Sequence, residues 1–146
     1  MDCYSCAREA ESAELPPRER VATDDLWRAA HAIDVDVPGW LVLVPRRHVT
    51  SIAALTDAEA AALGSWQVRL SRAVQRVVGC EKTYVAQFAE STGFTHVHFH
   101  IIPRANGLPA DRRGPRIFGP PGADAQQVSP TEMDEIAQLL ARELAD

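Results

Sequence analysis

The chain has 146 residues, a net charge of −5 and 46% hydrophobic residues. That length suits a single domain with a real core, and the acidic balance argues against a general binder of nucleic-acid polymers. No stretch is long and apolar enough to span a membrane, and the first twenty residues, "MDCYSCAREAESAELPPRER", have no apolar core of the kind a secretory signal needs. With three cysteines, an odd number, free thiols in a reducing cytoplasm are the expectation.

Residues 1–20 are polar, end near Pro16-Pro17, and would not fold alone. "RVATDD" and "WRAAHAI" read as short strands. In "PGWLVLVPRRHV", Pro38-Gly39 predicts a turn, Trp40 to Val44 a buried strand and Pro45 its end. Thr56 with Glu59 three residues later predicts a capped helix. Leu63, Trp66, Leu70, Val74 and Val77 fall on one face of it, and Gly79 closes it. Cys80 follows that end and reads as packed rather than reactive. "KTYVAQFAE" (82–90) predicts a strand and "STGF" a turn into "HVHFHIIP" (96–103), the two forming an antiparallel hairpin. Residues 105–128, rich in Pro, Gly and Arg, predict a long loop. Ser129, Pro130 and Glu132 predict a second capped helix. The layout is one α+β domain over residues 1–146, an antiparallel sheet with helices packed on it.

Three of the five histidines alternate with apolar residues in "HVHFHII". As a strand this puts His96, His98 and His100 on one face, roughly 6 to 7 Å apart, and Val97, Phe99 and Ile101 on the other. Such a row suits metal binding or nucleophilic attack on phosphorus, against the blander alternative of a half-exposed strand. Cys3-Tyr4-Ser5-Cys6 has the C-x₂-C spacing of half a tetrahedral zinc site. His48 and one histidine of the row are candidates to complete it, which would order an otherwise coreless N-terminal segment.

These residues resemble the histidine triad motif, His-φ-His-φ-His-φ-φ, of the HIT superfamily, with Pro103-Arg104 similar to the motif's usual ending. "LVLVPRRHV" resembles the element that precedes the long helix in that family, and the order of motifs matches over most of residues 1–104. The resemblance implies an antiparallel HIT-like sheet with a long central helix and a C-terminal helix. It implies a nucleotide-binding hydrolase or nucleotidyl transferase acting on dinucleoside polyphosphates or nucleoside phosphoramidates. It makes His98 the nucleophile, His100 its phosphate-contacting helper, and Cys3, Cys6, His48 and His96 the ligands of a structural zinc. It also implies a homodimer, with Trp66 and Leu70 as core or dimer contacts.

Two stretches depart from the family pattern. Ser91-Thr92-Gly93-Phe94-Thr95 stands where many members have Gly-Gln and a residue such as Ser, so Thr92 and Gly93 are the candidate phosphate contacts. Gly39-Trp40 stands where many have Gly-His, and Asp34 or Asp36 is either the ribose ligand or a solvated turn residue. Arg104, Arg112, Arg113 and Arg116 leave two readings equally open: a mobile cover over residues 105–128 that contacts a polyphosphate or leaving group, or a solvated loop. Two other functions compete with the hydrolase: a nucleotide-binding regulatory protein with little turnover, and a metalloenzyme that uses all three triad histidines on one metal.

Overall fold

The computed structural model describes residues 2–120 and 125–145. Five strands form one antiparallel sheet: β1 (Ala22–Thr23), β2 (Trp27–His31), β3 (Leu41–Pro45), β4 (Lys82–Ala86) and β5 (Phe99–Arg104), in the order β1-β2-β3-β5-β4. Three α-helices accompany it: α1 (Tyr4–Ala10), α2 (Asp57–Val78) and α3 (Pro130–Ala145). This is the α+β layout expected.

The period-2 alternation of the strands sorts side chains onto two faces. Trp27, Ala29, Leu41, Leu43, Phe99 and Ile101 point to one, where Trp66, Leu70, Ala73 and Val74 of α2 and Ile136 and Leu140 of α3 cover them. Trp66 and Leu70 are therefore core residues. The Trp66 indole also donates to Asp24 Oδ2 at 2.9 Å, so its one polar atom is satisfied. Cys80 packs against the same core. On the opposite face Ala30, Val42, Val44, His98 and His100 line a cavity. Beside it Ala32, Trp40, Ile102 and Ile117 form a second, smaller apolar cluster, which seats the loop after β5.

Helix α2 starts at the capping box its sequence specifies. Thr56 accepts from the Glu59 N–H at 3.1 Å and the Glu59 carboxylate accepts from the Thr56 N–H at 2.8 Å. Gly79, at φ +71, ends it. Ser129 Oγ accepts from the Glu132 N–H at 3.2 Å at the start of α3.

In the N-terminal segment α1 forms, with Cys3 as its N-cap and the Tyr4 N–H donating to Gly93 O at 3.0 Å. Four expectations need correction. β4 stops at Ala86 instead of reaching residue 90. Ala89 takes φ +57, which no strand accommodates, and the chain leaves the sheet there. β5 begins only at Phe99. His96 to His98 run up to it outside the ladder, the Val97 N–H donating to Val49 O at 2.8 Å and the His98 N–H to Gln87 Oε1 at 3.4 Å. The expected hairpin exists as a pairing, Ala86 opposite His100, but a twelve-residue connection joins it, 86 to 99. The expected 105–128 loop contains two short 3₁₀ turns, Ala110–Arg112 and Gly114–Phe118, while its positions 121–124 lie outside the described residues.

Candidate functional site

Cys3 and Cys6 open α1, His48 follows β3, and His96 leads into β5. The fold brings these four together, all their ligand atoms lying within 4.8 Å of one another. Cys6 Sγ lies 3.2 Å from His48 Nδ1 and 3.6 Å from His96 Nδ1, and Cys3 Sγ lies 3.5 Å from His96 Nδ1. Ligand bonds of about 2.0 and 2.3 Å put tetrahedral neighbours about 3.5 Å apart, so the spacing fits one zinc ion. The donor chemistry fits too. His96 is buried and its Nε2–H donates to Pro45 O at 2.7 Å, which leaves Nδ1 as the free lone pair turned to the cluster. Burial, then the neighbouring Cys3, push the Cys6 thiol up to about 11. Two touching thiols become thiolates together only with a cation between them.

The other two triad histidines turn away from this cluster and into the cavity, a space of about 420 Å³. The His98 Nδ1–H donates to His96 O at 2.8 Å, the backbone-carbonyl bond that a nucleophilic imidazole needs to fix its tautomer. Its Nε2 is left as a lone pair. His100 differs: its Nδ1 accepts from the Trp40 indole N–H at 2.9 Å. The two imidazoles stand edge to face, centroids 4.9 Å apart. Burial first, and then His98, push the His100 pKa down to about 4. Among the described residues the one His/Cys cluster spaced for a metal takes only His96 from the triad, so the geometry does not gather the three histidines on one ion.

The remaining walls hold polar groups at one end and aromatic rings at the other. Tyr4, Glu19 and Arg28 line the first. The Tyr4 hydroxyl donates to Glu19 Oε1 at 2.5 Å, and Arg28, 4% exposed, pairs with Glu19 at 3.6 Å and Glu9 at 3.5 Å. Burial and the Glu19 carboxylate hold the Tyr4 pKa far above its usual value, so this group stays a donor. At the other end Phe118 sits edge to face with His100, Trp40 and Phe88, at 5.2, 5.4 and 5.2 Å between centroids.

The candidate substrate contacts scatter. Asp34 lines the cavity, in a left-handed turn at φ +56. Asp36 is instead paired with Arg112 by two contacts, at 3.1 and 3.4 Å, which fasten the loop. Ser91 lines the cavity, but Thr92 and Gly93 do not; Gly93 spends its carbonyl on α1. Arg104 is also outside it. Four residues beyond His100 on β5 is about 13 Å, and there Arg104 lies opposite Lys82 and pairs with Glu81. Arg113 Nε donates to Leu108 O at 2.7 Å, within its own loop. Tyr4, Glu19, Arg28, Phe88 and Phe118 were not foreseen. Phe88 and Phe118 are exposed aromatics in the fold, a property that no local pattern in the sequence marks.

Two histidines, His31 buried and His100 half-buried, give the site a pH signature. His31, with Nδ1–H donating to Ala32 O at 2.8 Å and Nε2 accepting from the Gly39 N–H at 3.0 Å, is held below its ordinary value by burial. His100 shares that direction. Below 6.5 the unfolded chain takes up protons that these folded imidazoles refuse, so stability falls as pH drops from 6.5 towards 4. Urea midpoints are expected to decline across that window. Midpoints that stay level would mean neither imidazole is held neutral.

The HIT domain profile matches residues 14–107. Among curated proteins none matches the chain. Solved structures that share the fold include a Zn-bound histidine triad family protein from Mycobacterium smegmatis. It is 19% identical, with TM-score 0.71, over 99% of this chain and 94% of that one. A hypothetical histidine triad nucleotide-binding protein from Sulfolobus tokodaii is 16% identical, with TM-score 0.74, over 98% and 92%. A histidine triad protein from Bradyrhizobium japonicum is 26% identical, with TM-score 0.65, over 86% and 89%. The profile spans well over half of the sequence and includes both His48 and the triad, and the fold around them is the same: the chain belongs to the HIT domain family.

Proposed function

We propose that this chain is a nucleotidyl hydrolase or transferase that works at the α-phosphate of a nucleoside phosphoramidate or dinucleoside polyphosphate. The observation that carries the reading is the bare Nε2 of His98 at the cavity wall, its other nitrogen tied to His96 O. In this reaction Nε2 attacks the α-phosphorus while the bond from phosphorus to the leaving amine or phosphate breaks, and the leaving group takes up a proton. Water or another acceptor then cleaves the P–N bond of the nucleotidyl-histidine, releasing the nucleotide and restoring His98. His100 donates Nε2–H to a non-bridging oxygen, where charge builds in the transition state. Asp34 is the ribose ligand, the one carboxylate of the two candidates left to face the cavity. Zinc on Cys3, Cys6, His48 and His96 is structural, since four protein ligands leave no open position. A cytoplasmic homodimer is the accompanying proposal; among the described residues no helix is long and apolar enough to cross a membrane.

One observation favours the regulatory alternative. Neither Thr92 nor Gly93 lines the cavity, so the turn before the triad contributes little to a phosphate cradle. Incubation with adenosine phosphoramidate and with diadenosine polyphosphates separates the two. AMP release from at least one supports the enzyme. Calorimetric binding of AMP with no release from either substrate transfers the case to the binding protein.

A further inference from the structure

We propose that Trp40 is a positioning residue: its indole N–H fixes His100 in the single tautomer that presents Nε2–H to the cavity. An indole nitrogen can only donate. At 2.9 Å from it, His100 Nδ1 must be a lone pair, and a neutral imidazole then carries its hydrogen on Nε2. A doubly protonated His100 would set its Nδ1–H against the indole N–H and break the bond. Trp40 is in no position to yield. It is 5% exposed, packed among Ala32, Ile102 and Ile117, and crossed edge to face by Phe118. Its own carbonyl accepts from the Ala32 N–H at 2.8 Å. Gly39, at φ +86, makes the turn that delivers it, and a Cβ there would meet Val78 Cγ1 at 3.0 Å.

The consequence lies in the contrast with His98. Its hydrogen is on Nδ1 and its Nε2 is a lone pair, so two rings 4.9 Å apart present opposite polarity, acceptor beside donor. Were His100 the other tautomer, two lone pairs would face an incoming phosphate and repel its oxygens. Burial agrees with a neutral ring, pushing the His100 pKa down to about 4. The titratable groups that share the cavity with His100 are His98, His31, Tyr4, Glu19, Arg28, Asp34 and Glu90. Among the described residues none of them is a hydrogen-bond partner of the His100 ring, which is bonded to Trp40.

The tautomer claim is independent of the reaction proposed above, and only its effect on turnover rests on that reaction. Nitrogen-15 NMR of the full-length protein decides the first. Wild-type His100 should show Nε2–H with an unprotonated Nδ1, and keep that form on acidification to about pH 5. Trp40→Phe, which keeps an aromatic ring in the same packing, should mix the tautomers and let His100 titrate closer to 6.5. With an active substrate kcat should fall about tenfold while KM moves less than about twofold. A packing role alone would lower stability and leave the ring state untouched. Wild-type His100 carrying its proton on Nδ1 overturns the assignment, as does a Trp40→Phe spectrum identical to wild type. If no nucleotide is turned over, the proposed function fails, while the wild-type spectrum still decides the ring state.

Discussion

His98→Ala is expected to lose turnover by roughly a thousandfold or more, with folding left intact. A nucleophile acts as part of a coupled set, and its removal costs far more than one hydrogen bond. A thousandfold is about 4 kcal/mol of barrier, beyond what a lost neutral contact supplies. The fold should tolerate the change because His98 is only partly buried and its side chain bonds to a carbonyl of its own segment. The packing comes from the neighbours pointing the other way, Val97, Phe99 and Ile101, all in the core. The melting temperature should therefore shift by no more than a few degrees. A His98→Ala protein that turns over substrate at the wild-type rate removes the imidazole from the reaction.

The second large effect is on stability. Replacing Cys3 and Cys6 together by Ser should abolish binding of about one zinc per chain and release α1 from the rest of the fold. Loss of a structural metal belongs with the severest single-site effects, on the order of 4 kcal/mol, or roughly 10 °C in Tm for a domain of this size. His96→Ala should act in the same direction, since it removes a ligand that is also anchored to Pro45 O. The loss should spread to the cavity, because α1 carries Tyr4, whose hydroxyl holds Glu19, and Glu9, which pairs with Arg28 and Arg46. Protein purified without metal whose Tm is indifferent to a chelator would leave the cluster without a structural role.

What could be read in advance followed from interactions that are local in sequence or carried by a specific motif. The α2 capping box spans three residues, and its two bonds form as written. The triad's alternation sorted its side chains correctly even though the ladder starts only at Phe99, because extended backbone alternates with or without pairing. C-x₂-C announced a half-site, but its partners lie 42 and 90 residues from Cys6, a closure that spacing alone does not specify. Helix α1 has seven residues and no buried side chain of its own, so no periodic pattern marks it; a cap and a carbonyl from Gly93 hold it. Arg104 and Arg112 each pair with a carboxylate in the fold. Guanidinium groups serve carboxylates as readily as phosphates, and here Glu81 and Asp36 stand nearer. The bond from Trp40 to His100 crosses sixty positions and two strands, and nothing in either residue's own neighbourhood announces it.

The covalent step at His98 is tested most directly by intact-peptide mass spectrometry of the enzyme quenched early in turnover of adenosine phosphoramidate. The account predicts an acid-labile adduct of one AMP on His98, formed and lost fast enough to match kcat, and absent from His98→Ala. Steady release of AMP with no adduct at any quench time, or an adduct on a different residue, would contradict it.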